Sequence, residues 1–387
     1  MRIALNAVGF APGRMGGMET YFRNLLFNLQ RLEGGDSYSV LCDERHAGEF
    51  DLTNSAFGFR YLNYARPSAR WLLRGLLRNL LGLDPLSLEM RGVAADLIHH
   101  PFTVLTPLGM RIPSVLTFWD MQHEFFPEFF PPLELRKRRR IYRMSAEQAT
   151  RIIVSSAFTG ECLMERYGID RRRIEVIHTG FGGEYRVIDD REALERVRAR
   201  YALERPFLFY PAATWPHKNH KTLLAALRIL REEYRFDGEL LLSGIAMGAH
   251  GDILAEIERL GLAGSVRVLG YLPSGELPCI FNLARVMVFP SLFEGFGIPL
   301  VEAMACGCPV ACSNVTSLPE VAGDAGALFD PHCAEEMAER IWQLWSDDEL
   351  RATLRRRGLE RARLFDWQET ARKTVAVYRT AAAEGQP

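Results

Sequence analysis

The stretch Pro290-Ser291-Leu292-Phe293-Glu294-Gly295-Phe296-Gly297-Ile298-Pro299-Leu300-Val301-Glu302-Ala303-Met304 decides the fold. The apolar run ending at Pro290 reads as a buried strand. Gly295 and Gly297 form a loop, and the residues after them open a helix. Pro299 suits a first helical turn, because its fixed φ matches the helix and its missing N–H is not needed there. The N–H groups of Gly295, Phe296, Gly297 and Ile298, with the helix's positive end, make a natural phosphate cradle. Glu294 stands at the mouth of that cradle, where a carboxylate makes sense if it grips sugar hydroxyls rather than phosphate. Glu302 lies within the helix and could face the same ligand. A structural turn followed by a solvated helix glutamate accounts for the same residues, and such βα units are common.

Outward from this stretch, short apolar runs alternate with helix-length amphipathic segments along the whole chain. That alternation predicts α/β architecture, with parallel sheets covered by helices. The first half holds candidate strands at Arg2–Phe10, Asp96–His100, Pro113–Trp119, Arg151–Ser155 and Ile174–His178. The second half holds them at Phe207–Pro211, Glu239–Ser243, Ser265–Leu269, Arg285–Pro290 and Pro309–Ser313. At 387 residues the chain exceeds what one core usually supports, so two doubly wound domains with a cleft between them are expected. The break is placed after His178-Thr179-Gly180-Phe181-Gly182-Gly183, giving domains 1–183 and 184–365. A last helix, Phe365–Ala383, offers Trp367, Thr370, Val375 and Tyr378 for packing.

Composition narrows the function. With 48% hydrophobic and 25% charged residues and a net charge of −1, the chain is globular and does not read as a nucleic-acid binder. No apolar run is long enough to span a bilayer, and the N-terminal run reads as a first strand rather than a signal peptide. The seven scattered cysteines fit reduced thiols in a cytoplasm. Absence of an Asp-x-Asp near a strand end argues against a carboxylate-held metal. Absence of Gly-x-Gly-x-x-Gly after the first strand argues against a dinucleotide oxidoreductase.

Three further segments carry chemistry. Tyr210-Pro211-Ala212-Ala213-Thr214-Trp215-Pro216-His217-Lys218-Asn219-His220 follows a strand and opens the helix Lys221–Glu233. A lysine at a helix start opposes the macrodipole, and holding a diphosphate would give it a reason to be there; a solvated surface lysine is the alternative. Gly16-Gly17-Met18-Glu19 follows the first strand, where glycines let a ligand approach the backbone or simply make a tight turn. Thr117-Phe118-Trp119-Asp120-Met121-Gln122-His123 ends another strand.

The Pro290–Met304 segment resembles the signature of glycosyltransferase family 4, whose GT-B fold has two facing Rossmann-like domains. The likeness extends through Cys308-Pro309-Val310 and Ser317-Leu318-Pro319-Glu320-Val321 to Phe329. The resemblance implies that Glu294 contacts the donor sugar, that Glu302 binds the ribose hydroxyls, and that Gly295–Ile298 contact sugar and diphosphate. Lys218 matches the family's phosphate-binding lysine, and Gly16 and Gly17 match a loop touching donor phosphate and acceptor. Many members carry an arginine upstream of the lysine; here Ala212 and Ala213 fill that stretch, so either His217 or a residue the sequence does not identify is expected to share in neutralising the diphosphate. Where members have His-Asp, this chain has Trp119 and Asp120, with His123 the nearest substitute imidazole or else a structural loop histidine.

The implied enzyme is a retaining, metal-independent glycosyltransferase needing no cofactor. It would move a hexose from a GDP- or UDP-sugar to a glycan or lipid-linked acceptor in cell-surface polysaccharide synthesis. The first domain would bind acceptor, with 366–387 packing back on it, and the second would bind the nucleotide sugar. Two rivals, a nucleotide-sugar-binding pseudoenzyme and an epimerase of the same fold, are separable by acceptor dependence. The helix Ser68–Leu83, with Arg70, Arg74 and Arg78 opposite paired leucines, reads as packed on the sheet or lying on an anionic membrane. Arg136-Lys137-Arg138-Arg139-Arg140 with Arg143 adds a basic face, solvated or membrane-attached. The expected location is therefore the cytoplasm, with peripheral attachment as an option.

Overall fold

A computed structural model describes residues 1–64, 68–81, 84–273 and 275–385, with the backbone alone described at 78–81. The chain divides into two compact units, Met1–Gly180 with Asp366–Pro387, and Phe181–Phe365. The division falls just before the break expected after Gly183, because Phe181 packs with the second unit's core.

The N-terminal unit carries seven strands: β1 Arg2–Asn6, β2 Ser37–Cys42, β3 Phe57–Tyr61, β4 Leu97–His100, β5 Ser114–Phe118, β6 Arg151–Val154 and β7 Ile174–Val176. Their order is β3-β2-β1-β4-β5-β6-β7, and every pairing is parallel. β4 and β5 are buried along their whole length, His99, His100 and Thr117 included. The helix Trp367–Glu384 returns to this unit, burying Trp367, Ala371, Val375 and Tyr378 with Ile3, Leu5 and Val115.

The C-terminal unit carries β8 Phe207–Pro211, β9 Glu239–Ser243, β10 Val266–Gly270, β11 Val286–Phe289, β12 Val310–Ser313 and β13 Gly326–Phe329. The order is β10-β9-β8-β11-β12-β13, again all parallel. The winding direction reverses between β8 and β11, and in open α/β sheets such a switch point opens a crevice at the strands' carboxyl ends. In the N-terminal unit the reversal lies between β1 and β4.

The arginine-rich helix reads differently in three dimensions. Helix Ala69–Leu81 leaves Leu72, Leu73 and Leu76 more than half exposed, so these leucines do not pack on the sheet. Arg70 pairs with Glu89 at 3.3 Å, and Arg74 pairs with Asp84 at 2.7 Å, so neither is a free cation. The side chains of Arg78, Leu80 and Leu81, and residue Leu83, lie outside the described set. Among the described residues no helix is long and apolar enough to cross a membrane.

Candidate functional site

Two loops meet at the β8–β11 switch point. The first, after β8, makes a short turn at Pro216–Lys218 and reaches helix His220–Glu233 through Asn219 in the left-handed conformation. The second, after β11, enters helix Ile298–Ala305 through Gly297 at φ 102. A Cβ at Gly297 would lie 2.7 Å from Leu318 Cδ2, so only glycine fits this turn.

Hydrogen bonds lace the two loops together. The Leu292 N–H donates to the His217 carbonyl at 2.8 Å. The Asn219 amide donates to the Pro290 carbonyl at 3.1 Å and the Pro331 carbonyl at 2.7 Å. From the core, the Tyr210 hydroxyl donates to the Lys218 carbonyl at 2.6 Å. On the other flank the Ser317 hydroxyl lies 3.0 Å from the Glu294 carbonyl and 2.9 Å from the Phe296 carbonyl. The Glu294 N–H donates to Thr316 Oγ1 at 3.3 Å.

This scaffold sets Lys218 Nζ 2.5 Å from Glu294 Oε1, with the ammonium 5.5 Å from the centre of the Phe289 ring. Both side chains are mostly covered, at 17% and 14% exposure, so solvent screens the pair little. The two residues nominated for diphosphate and sugar thus neutralise each other in the unliganded protein. Lys218 is not in the long helix but in the turn before it, where the macrodipole argument no longer applies.

Glu302 lies in the middle of helix Ile298–Ala305. Burial pushes its carboxyl up to about 8; a hydrogen bond from the Tyr185 hydroxyl opposes the shift and the nearby Glu184 reinforces it. Tyr185 stands on the Phe281 ring, 6.2 Å between centroids, and burial and Glu302 raise its own pKa further. Tyr185 lies outside every sequence motif, so nothing in the local pattern points to it.

Burial, and then the neighbouring Lys218 charge, lower His217 to about 4, so its imidazole is neutral at ordinary pH in the unliganded protein. His220, buried in the same unit, is lowered to about 4 for the same first reason.

Three large apolar side chains stand exposed just beyond the carboxyl ends of β8, β9 and β10: Trp215 at 44%, Ile245 at 52% and Tyr271 at 71%. The Thr214 N–H to Ile245 carbonyl bond (3.1 Å) and the Gly244 N–H to Gly270 carbonyl bond (2.8 Å) tie these loops together. A Cβ at Gly244 would lie 2.4 Å from the Ala212 carbonyl oxygen, so glycine allows that approach. The one signal for these residues in the sequence is their position immediately after three strands.

The remaining nominated residues belong to the N-terminal unit. Gly16 caps helix Gly17–Leu29 at φ 51, and both glycines are exposed. Glu19 accepts the Gly13 N–H at 2.7 Å and pairs with Arg23 at 2.8 Å, which fixes the shape of this loop. Trp119 is partly buried; its Nε1–H donates to the Pro101 carbonyl at 2.8 Å and its ring meets Tyr21 edge-on at 4.7 Å. Its one polar atom is committed to the fold. Asp120 accepts the Gln122 N–H at 3.1 Å. His123 is buried, 3.2 Å from the Tyr167 hydroxyl, packed on Tyr142 and lowered to about 4 by burial. Among the described residues no cluster of three or more His, Cys, Asp or Glu could hold a metal ion.

Known proteins match both units. The family model for glycosyltransferase family 4 matches residues 15–181, and that for glycosyl transferases group 1 matches residues 193–361. The O-antigen chain mannosyltransferase B of Escherichia coli is 34% identical over 285 residues, spanning 73% of this chain and 74% of its own. Among solved structures, the sucrose-phosphate synthase of Thermosynechococcus elongatus superposes with TM-score 0.77 at 22% identity, covering 99% of this chain and 100% of its own. An Anabaena protein solved with UDP and glucose superposes with TM-score 0.74 at 20% identity, covering 98% of this chain and 100% of its own. These likenesses give the two parallel-sheet units the GT-B fold, and from the two family models and the Escherichia coli relative it follows that the chain belongs to the family 4, group 1 glycosyltransferases.

Proposed function

We propose that the protein is a retaining mannosyltransferase that uses GDP-mannose and extends a glycan or lipid-linked saccharide in surface polysaccharide synthesis. The mannosyltransferase relative supports the sugar, and guanosine is the nucleoside that commonly carries mannose. The observation that carries the mechanism is the Lys218–Glu294 pair at the switch point, 2.5 Å apart. A donor entering here separates the pair, its diphosphate taking Lys218 and its hexose hydroxyls taking Glu294. Trp215, Ile245 and Tyr271 supply an apolar platform for the base, and Glu302 accepts from the ribose hydroxyls.

In the reaction the bond from the sugar's C1 to the phosphate oxygen breaks as the acceptor oxygen bonds to C1 on the same face. The acceptor proton passes to the departing phosphate oxygen, so no side-chain nucleophile or base is required. Charge on the leaving diphosphate is met by Lys218 and by the amino end of helix Ile298–Ala305, which lets transfer proceed without a divalent ion.

The test is transfer from GDP-mannose to a labelled alkyl α-mannoside in excess chelator, with the product's anomeric configuration read by NMR. An α-linked product formed with chelator present supports the reading. A β-linked product, activity restored only by a divalent ion, or donor altered with no acceptor present would each overturn part of it.

A further inference from the structure

Helix Pro132–Gln148 of the N-terminal unit carries six cations, three of them paired and three not. Arg138, Arg139 and Arg143 are paired, with Glu134 at 2.8 Å, Glu124 at 3.0 Å and Glu147 at 3.0 Å. Arg136, Lys137 and Arg140 have no carboxylate partner among the described residues. These three share a stripe with Leu133, Ile141 and Met144, and all six line one cavity of about 880 Å³. The rest of the lining is largely apolar, with Leu105, Pro107, Leu108 and Trp71 beside the Arg74–Asp84 pair. Asp84, the acidic residue of the lining, is already taken by two Arg74 nitrogens at 2.7 Å each. Leu133 of the lining is 82% exposed, and Leu72, Leu73 and Leu76, on the opposite face of the helix carrying Trp71 and Arg74, are 61%, 52% and 55% exposed.

Unneutralised cations on an apolar pocket are an unusual combination. A soluble anion would leave the apolar walls wet, and an uncharged hydrophobe would leave three like charges crowded together. An anion attached to a hydrocarbon chain satisfies both, and the exposed Leu133 of the lining suits the boundary of a bilayer. We propose that this cavity receives the phosphate and first methylenes of an anionic membrane lipid, with Arg136, Lys137 and Arg140 on the phosphate and the lining Leu105, Leu108 and Leu133 against the methylenes. Membrane attachment then centres on one pocket rather than a diffuse basic surface, and it does not depend on the donor site of the other unit.

Binding of dodecyl phosphate below its micelle concentration, and of inorganic phosphate, is measured by calorimetry on the whole protein. Flotation with phosphatidylcholine vesicles, with or without phosphatidylglycerol, provides the membrane arm. Dodecyl phosphate should bind at least about tenfold tighter than inorganic phosphate, because the chain adds apolar burial. The triple variant R136Q/K137Q/R140Q should lose about tenfold or more of that affinity and most of the flotation with anionic vesicles. The control R139Q/R143Q, which removes paired cations of the same helix, should stay within about twofold of wild type. Thermal unfolding of both variants checks that the fold persists. Equal affinity for the two phosphates, equal losses in triple variant and control, flotation with neutral vesicles alone, or no binding of dodecyl phosphate would each overturn the proposal. No sugar transfer is read, so failure here leaves the donor site's reading untouched.

Discussion

Burial holds the Glu302 carboxyl at about 8, against the hydrogen bond from Tyr185. Its ordinary value is 4.5, so the folded protein binds a proton there that the unfolded chain releases, and this group's contribution to stability falls as pH rises from about 4.5 to about 8. Ribose hydroxyls donating to Glu302 would favour its ionised form, so nucleotide binding would expel that proton. Nucleotide affinity should therefore rise with pH up to about 8 and then level off, and the rise should vanish in Glu302→Gln. Calorimetric titrations across this range check it; a wild-type profile parallel to that of the Gln variant would remove Glu302 from the site. The glutamates and Lys218 are legible in the sequence because each sits at a fixed place on a strand–loop–helix unit. Tyr185 is not, since a contact across distant segments leaves no spacing to read. His217 and His123 escape sequence reasoning for another reason: imidazole charge depends on burial, which local sequence does not report.

Helix Trp367–Glu384 shows the same limits at the level of an element. Its apolar residues are visible in sequence, whereas its return to the first domain is expected only from the family resemblance; it closes the N-terminal unit's core beside β4 and β5. Within that core the Tyr378 hydroxyl lies 2.7 Å from His99 Nδ1, and His99 Nε2 lies 2.8 Å from Thr117 Oγ1. Both residues are fully buried, and burial lowers His99 to about 3, so this is a neutral relay tying the helix to the sheet. Tyr378→Phe leaves a buried imidazole nitrogen without its partner, a loss of about 1–3 kcal/mol in chemical denaturation. A change below about 0.5 kcal/mol would show that the helix is held by apolar contact alone. β11 is legible because burial on both faces writes a continuous apolar run, Val-Met-Val-Phe. β2, β3 and β13 are not among the expected strands: β2 is interrupted by serines, β3 is a half-exposed edge strand containing Gly58 and Arg60, and β13 opens with Gly326. Edges carry weaker patterns because only part of them meets the core.

Over the whole molecule, alternation of strands and helices announces two doubly wound sheets, whereas the return of the last helix to the first unit rests on packing. Lys218, Glu294 and Glu302 all lie in the unit Phe181–Phe365, so the proposed contacts of these three with the donor belong to that unit. In the proposed reading the members of one ion pair divide the donor between them, Lys218 taking the diphosphate and Glu294 the hexose. That division is the central claim, and comparative titration of GDP and GDP-mannose into wild type, Lys218→Gln and Glu294→Gln tests it most directly. Lys218→Gln should weaken both ligands by about tenfold or more, through loss of a charge-assisted phosphate contact. Glu294→Gln should tighten GDP, because Lys218 is released and a negative charge near the diphosphate is gone, yet it should erase the advantage of GDP-mannose over GDP. If GDP and GDP-mannose bind all three proteins alike, the Lys218–Glu294 pair is structural and the donor lies elsewhere.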